Sequence, residues 1–216
     1  VTFENIPYDA AADEDFSLFF QHLASSKDLP VTSQPSPAAF ASLFSEAKKA
    51  GDEVVCILLS GKLSGTVQSA GIGKEMAGHD GVTIIDSNQA IMGQRLLVEM
   101  ALRLRDEGKT ALEIADAVVN ASGRIRLYGA LDTLKYLRKG GRIPKTVEVI
   151  GTMMGIKPIV SLTGGVLEMR GKARGHAGAV TSMVKLFGEN TDFDEAAPLY
   201  FGFTQNGGGN RHHDGH

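Results

Sequence analysis

Val54-Val55-Cys56-Ile57-Leu58-Leu59-Ser60-Gly61-Lys62-Leu63-Ser64-Gly65-Thr66 is the stretch on which the fold turns. Its apolar run is unbroken and of strand length, the pattern of a strand buried on both faces. The run stops at a loop of glycines and hydroxyls, and helical spacing follows from about Val67 to Ala77. Val82-Thr83-Ile84-Ile85 repeats the buried strand and ends at Asp86-Ser87-Asn88. A long amphipathic helix over 90–107 follows, then a helix capped by Thr110 that reaches about Ala121. Strand–helix–strand–helix alternation predicts a parallel sheet with helices on both faces.

On the amino-terminal side, Val1 to Tyr8 reads as a short strand and turn, and Asp13 to Leu23 as a helix with Phe16, Phe19, Phe20 and Leu23 on one face. Pro30, Pro35 and Pro37 exclude a regular helix between them. Phe40, Leu43, Phe44 and Ala47 then recur at helical spacing, with Ser36 as N-cap and Pro37 in the first turn. On the carboxyl-terminal side the texture changes. A strand over 124–131, a short helix over 133–138 and a Gly140-Gly141 break precede a helix over 147–154. Lys157 to Leu162 and Val166 to Met169 flank Thr163-Gly164-Gly165, a hairpin signal. A helix over 176–187 and a strand over 199–203 complete the reading.

The expected fold class is therefore α/β. A parallel three-layer α/β/α domain over 1–121 is followed by a smaller α+β domain over 122–206 with a mixed or antiparallel sheet. Residues 207–216 are polar and read as a disordered or non-native tail. His212, His213 and His216 beside Asp214 are at most a weak set of metal ligands, and no metal site is expected.

Composition narrows the function classes. Apolar residues make up 43% and charged residues 22% of the 216, the profile of a soluble globular protein. A net charge of −3 lacks the basic footprint of a nucleic-acid binder. No apolar stretch approaches the length of a membrane span, and no signal peptide is legible. Cys56 is the single cysteine, so no internal disulfide forms. It reads as a buried, inert thiol, and the composition fits a reducing cytoplasm.

In open parallel sheets, ligands bind just outside the carboxyl ends of the strands. Ser60 to Thr66 lies there, and the helix behind it offers open N–H groups and a positive dipole end. Gly61 and Gly65 allow close approach of the backbone, which suits a carboxylate or phosphate. A plain N-cap by Ser64 with turn glycines explains the same residues equally well. The Walker spacing is absent. Thr32-Ser33-Gln34-Pro35 precedes a helix in the same way and taken alone reads as capping, while Asp86 taken alone reads as a turn residue. Lys139-Gly140-Gly141-Arg142 reads equally as a cation aimed at a ligand and as a solvated basic loop. GxSxG and HExxH are absent, and His22, His79 and His176 carry no signature of a general base, so no catalytic residue is expected.

Five segments together resemble the DegV family of bacterial lipid-binding proteins. They are Val31-Thr32-Ser33-Gln34-Pro35-Ser36, Leu59 to Thr66, Asp86-Ser87-Asn88 with Gly93, Leu131 to Ile143, and Gly155-Ile156-Lys157-Pro158-Ile159 with Lys172-Ala173-Arg174. The resemblance implies two α/β domains with a long-chain fatty acid between them and its carboxylate on Thr32 and Ser60. It also implies a separate fatty-acid kinase that phosphorylates the bound acid, with no cofactor and no catalysis by the carrier. With the loop reading, the expected ligand-binding set is Thr32, Ser33, Ser60, Gly61, Ser64, Gly65, Thr66 and Arg142. Gly61 stands where the family has a second serine, which removes one hydroxyl donor. The family's opening strand and a carboxyl-terminal part with a histidine have no counterpart here, so the chain reads as shortened at both ends relative to it. The competing enzyme reading is a phosphotransfer subunit related to dihydroxyacetone kinases, which needs a histidine placed to hold a small ketone. Physical chemistry favours the carrier: each buried methylene contributes about 0.8 kcal/mol, and a buried carboxylate requires donors.

Overall fold

The computed structural model describes residues 2–3, 6–7, 17–26, 30–143, 155–189 and 197–202. The chain divides into two compact units, Gln34–Pro198 and Val1–Ser33 with Leu199–His216. In the smaller unit, β1 (Thr2–Phe3) pairs antiparallel with β2 (Ile6–Pro7), and α1 spans Ser17–Ser25. Phe19 and Phe20 on α1 meet edge to face at 5.4 Å between ring centroids. The start of the expected 13–23 helix lies outside the described residues. Leu199 to Gly202 has no strand conformation, unlike the sequence expectation. A short apolar run forms a strand only where a neighbouring strand supplies the ladder hydrogen bonds.

The larger unit opens with α2 (Pro37–Ala50). Ser36 Oγ accepts the Ala39 N–H at 3.2 Å, and Gly51, at φ +80°, ends the helix with its N–H on helical carbonyls. β3 (Val54–Leu58) then pairs in parallel with β4 (Val82–Asp86), Val54 opposite Val82 and Leu58 opposite Asp86. The sheet is parallel as the two apolar runs predict. α3 (Thr66–Ala77) links the strands, and α4 (Ile91–Asp106) and α5 (Ala111–Ser122) follow. The pleat sends alternate side chains to opposite faces. Val55, Ile57 and Ile85 pack with Leu97 of α4 and with Ile114, Ala115 and Val118 of α5. Val54, Cys56, Leu58, Val82 and Ile84 pack with Phe40 and Phe44 of α2 and Ala70 of α3. The three expected layers are thus present.

A separate antiparallel sheet runs in the order β5 (Leu127–Ala130), β6 (Ile156–Thr163), β7 (Val166–Arg174), with α6 (Lys135–Lys139) after β5 and α7 (Gly175–Gly188) after β7. Val160, Leu167 and Met169 pack under Leu134, Leu137 and Ile143. β7 runs past Met169, where the sequence reading ends it. The ladder skips Arg170 at a bulge, pairing Val160 with Met169 and Ile159 with Gly171, so pairing with β6 carries a polar stretch onward. The expected helix over 147–154 and the tail over 207–216 lie outside the described residues.

Helices α2 and α3 approach closely at Gly73 of α3. A Cβ there would lie 2.5 Å from Phe40 Cβ and 2.8 Å from the Pro37 carbonyl oxygen. Gly73→Ala is therefore expected to lower stability by about 1–3 kcal/mol through overpacking. Gly71, on the same helix with nothing within 4 Å of its missing Cβ, is the control. Gly71→Ala is expected to be neutral or stabilising, since alanine favours the helix. Urea unfolding of both variants checks the pair, and equal midpoints would contradict the packing account.

The N-terminus of α5 is a capping box. Thr110 Oγ1 accepts the Glu113 N–H at 3.3 Å, and Glu113 Oε2 accepts the Thr110 N–H at 2.9 Å. Hydrogen bonds from the Thr110 backbone and hydroxyl, with the nearby Lys109 charge, hold the Glu113 carboxyl below its ordinary value. A lowered folded-state value means this stabilisation is present above the unfolded-state pKa and lost as pH falls through the folded one. Wild type is expected to lose its advantage over Glu113→Gln as pH falls through that window, read as converging thermal midpoints.

Candidate functional site

Because β3 and β4 are parallel, their carboxyl ends emerge together. The ladder continues beyond them: Ser87 N–H donates to Leu58 O at 3.0 Å, and Ser60 N–H donates to Gln89 O at 2.8 Å. Ser60 is thereby held between the two strand ends, with 0% of its surface exposed. Its Oγ donates to the Gly165 carbonyl at 2.7 Å, across 105 positions, and accepts the Lys62 N–H at 3.2 Å. Lys62 Nζ donates to the Gly164 carbonyl at 2.8 Å. Arg142 Nε donates to the Leu63 carbonyl at 3.1 Å, and its Nη1 to the Gly140 carbonyl. The loop after β3 is therefore tied both to the tip of the β6–β7 hairpin and to the Gly140-Gly141-Arg142 turn.

Asp86, at the end of β4, sets a carboxylate against this loop. Its carboxylate accepts the Gly61 N–H at 3.1 and 3.2 Å and the Asn88 N–H at 2.9 Å. The turn role read from the sequence is present, together with a brace between the two strand ends. The Gly61 N–H, expected to face a ligand, faces the protein's own carboxylate in this structure. A Cβ at Gly61 would lie 2.8 Å from Asp86 Oδ2, so a second serine there would need this carboxylate to shift. Beyond Asp86, Asn88 at φ +50° and Ile91 at φ +42° both adopt the left-handed region, which is costly for a β-branched residue.

Gly65, not Ser64, is the N-cap of α3, and no side chain caps this helix. Ser64 Oγ instead lies 2.8 Å from Thr66 Oγ1, and Thr66 is buried. Gly65 makes room for the Gln34 amide, whose Nε2 would lie 2.9 Å from a Cβ at that position. Ser69 Oγ donates to the Pro35 carbonyl at 2.5 Å and pins that segment to α3. Of the expected set, Ser60, Gly61, Ser64, Gly65, Thr66 and Arg142 gather around one loop. Thr32 and Ser33 are exposed and belong to the smaller unit. Sequence reasoning missed Lys62, Asn88, Gly164 and Gly165 as partners of this loop. Gly164-Gly165 already had a full local explanation as turn residues, and no local pattern encodes a contact so distant along the chain.

Elsewhere the chemistry is quiet. Burial pushes the Cys56 thiol up and keeps it protonated, as an inert core cysteine requires. His79 Nε2 lies 2.8 Å from the Asp52 carbonyl oxygen, a partner that makes this nitrogen the donor. Among the described residues, no group of three or more metal-ligating side chains comes together, and no helix is long and apolar enough to cross a membrane. A groove of about 490 Å³ lies between β7 and α7, floored by Ile159 and Met169 and edged by Arg170, Lys172 and Lys185. It shares no lining residue with the Ser60 loop.

Residues 1–211 match the model of the DegV family of uncharacterised proteins. A DegV domain-containing protein of Caldanaerobacter subterraneus is 35% identical over 178 residues, which is 82% of this chain and 63% of that protein. Among solved structures, a DegV family protein of Thermus thermophilus, described for its fatty-acid binding, is 34% identical with a TM-score of 0.71, covering 80% of this chain and 61% of that one. A stearic-acid-binding protein of Eubacterium ventriosum is 25% identical with a TM-score of 0.72, covering 80% and 60%. The chain thus spans less than two thirds of the length of these relatives. With the family model matching nearly the whole sequence, and with both its parallel and its antiparallel sheet in place, this chain belongs to the DegV family.

Proposed function

We propose that this chain binds a long-chain fatty acid by its carboxylate and carries it to a separate fatty-acid kinase, without transforming it. The observation that carries this reading is the buried hydroxyl of Ser60 at the carboxyl end of β3, beside the uncapped start of α3, in a family whose solved members include fatty-acid binders. A hydroxyl and open helix N–H groups are the donors that a buried carboxylate needs. Thr32 and Ser33 are proposed as further head-group donors on the strength of the sequence resemblance, and Arg142 as the nearby cation. The acyl chain supplies most of the binding: some 12 buried methylenes contribute roughly 10 kcal/mol before the costs of association. The proposed carrier has two parts, over 1–121 and 122–206, needs no cofactor and works in the cytoplasm.

Denaturing extraction of the purified protein followed by mass spectrometry is expected to release an acid of about C14–C18, the length an apolar tunnel of this kind accepts. A protein that releases no acid, and takes up none on titration, would overturn the proposal. Release of a small ketone adduct from a histidine would point to the phosphotransfer reading instead. Ser60→Ala removes one donor to a charged group, a loss of roughly 1.5–3 kcal/mol. Fatty-acid affinity is therefore expected to fall on the order of tenfold to a hundredfold. A Ser60→Ala protein with a lowered thermal midpoint and unchanged affinity would instead reduce Ser60 to a strut for the hairpin.

A further inference from the structure

We infer that the tip of the β6–β7 hairpin is an internal competitor for the head-group site, with the Gly165 carbonyl holding the Ser60 proton that an incoming carboxylate must take. The inference rests on the acid-binding reading above. Its physical basis is the count of protons on Ser60. A serine hydroxyl has one hydrogen to donate, and an ionised carboxylate only accepts. That hydrogen is on Gly165 O at 2.7 Å, while one lone pair of the oxygen accepts the Lys62 N–H. Ser60 cannot serve the tip and an acid with the same proton, so the two occupancies exclude each other.

Lys62 extends the argument. Its ammonium donates to Gly164 O at 2.8 Å, so two neighbouring donors are met by carbonyl oxygens from two successive residues. The two oxygens of one carboxylate make the same demand. Lys62 is thereby assigned as a second head-group contact, whose ammonium has further hydrogens to offer beside the one on Gly164 O. Solvent geometry agrees: with the tip seated, Ser60 is fully buried, and no head group can reach it.

The seat is shaped for glycine alone. Gly165 lies at φ +83°, and a Cβ on it would stand 2.5 Å from Ser60 Oγ and 2.7 Å from Asn88 Oδ1. Asn88 is itself in the left-handed region at φ +50°. The tip is otherwise light: Thr163 and Gly164 are exposed. Hydrogen bonds to a carboxylate are roughly twice as strong as those to a neutral carbonyl, so an acid can displace the tip while a neutral lipid has far less to gain.

The test uses palmitic acid as probe, with hydrogen exchange and titration on the same samples. On adding acid to the wild-type chain, the amides of residues 163–166 are expected to lose protection. Unchanged or increased protection, with acid bound, overturns the competition and leaves the acid-binding reading standing. Gly165→Ala should expel the tip, and acid affinity is then expected to rise about threefold to tenfold, the equivalent of one neutral hydrogen bond removed from the competing state. Equal or weaker affinity in a folded Gly165→Ala protein also overturns it. Should that variant fail to fold, wild-type exchange decides alone. Absence of any palmitic-acid binding by wild type removes the acid-binding reading, and this inference with it.

Discussion

The parallel pairing of β3 with β4 is the constraint on which the remainder depends. Parallel strands cannot be joined by a tight turn, so α3 must cross between them and return the chain to the same starting edge. Both strands then end on one side, and the loops after Leu58 and Asp86 become neighbours. That adjacency sets the Ser60 N–H on the Gln89 carbonyl and Asp86 on the Gly61 N–H. An antiparallel pair would send these loops to opposite edges and leave no common floor. The pairing in turn relies on burial from both faces, because Val55 and Ile57 point to α4 and α5 while Val54, Cys56 and Leu58 point to α2 and α3.

Polar groups at this edge are largely paired with one another, although Gln89 Oε1 is buried without a hydrogen-bond partner among the described residues. Asp86 meets two N–H groups that would otherwise be unpaired at the ends of the sheet. The Asp86 carboxylate beside Ser60 opposes a second anion, and the cations of Lys62 on the loop and Arg142 on the turn bonded to it counter that charge. Both cations rest on backbone carbonyls within the chain, so the loop is ordered through its own protein contacts. Keeping these donors paired matters, since an orphaned buried donor costs on the order of 1–3 kcal/mol.

Much of the fold was legible in the residues. Val54–Leu59 and Val82–Ile85 announced themselves as buried strands rich in β-branched and aliphatic residues, and the glycine-rich break between them as a strand end. Ser36 before Pro37 and Thr110 marked helix starts that the structure reproduces as caps. The hairpin at Thr163-Gly164-Gly165 also stood out, because both glycines take positive φ there. Less legible were the polar half of β7 and the lack of a strand at Leu199–Gly202. In each case a neighbouring backbone, rather than the side chains of the segment, decides the outcome: β7 has β6 alongside through Arg174.

The same division applies to the site. Residue types and order alone determined that a hydroxyl-rich loop follows a buried strand and opens a helix, and that its motifs resemble those of one family. These are local properties: hydrophobic periodicity, turn chemistry and helix-start signals act over a few residues and are written in sequence. Which partner each polar group finds was decided only by tertiary structure. Ser60 donates to a carbonyl 105 residues away, Asp86 takes the N–H of Gly61 from 25 residues away, and Arg142 reaches back 79 residues to Leu63. A hydrogen bond is directional and satisfied by one geometry, whereas hydrophobic burial is non-directional and tolerant. The apolar pattern could therefore specify the layers, but only the packed layers could choose the acceptor for a single serine proton.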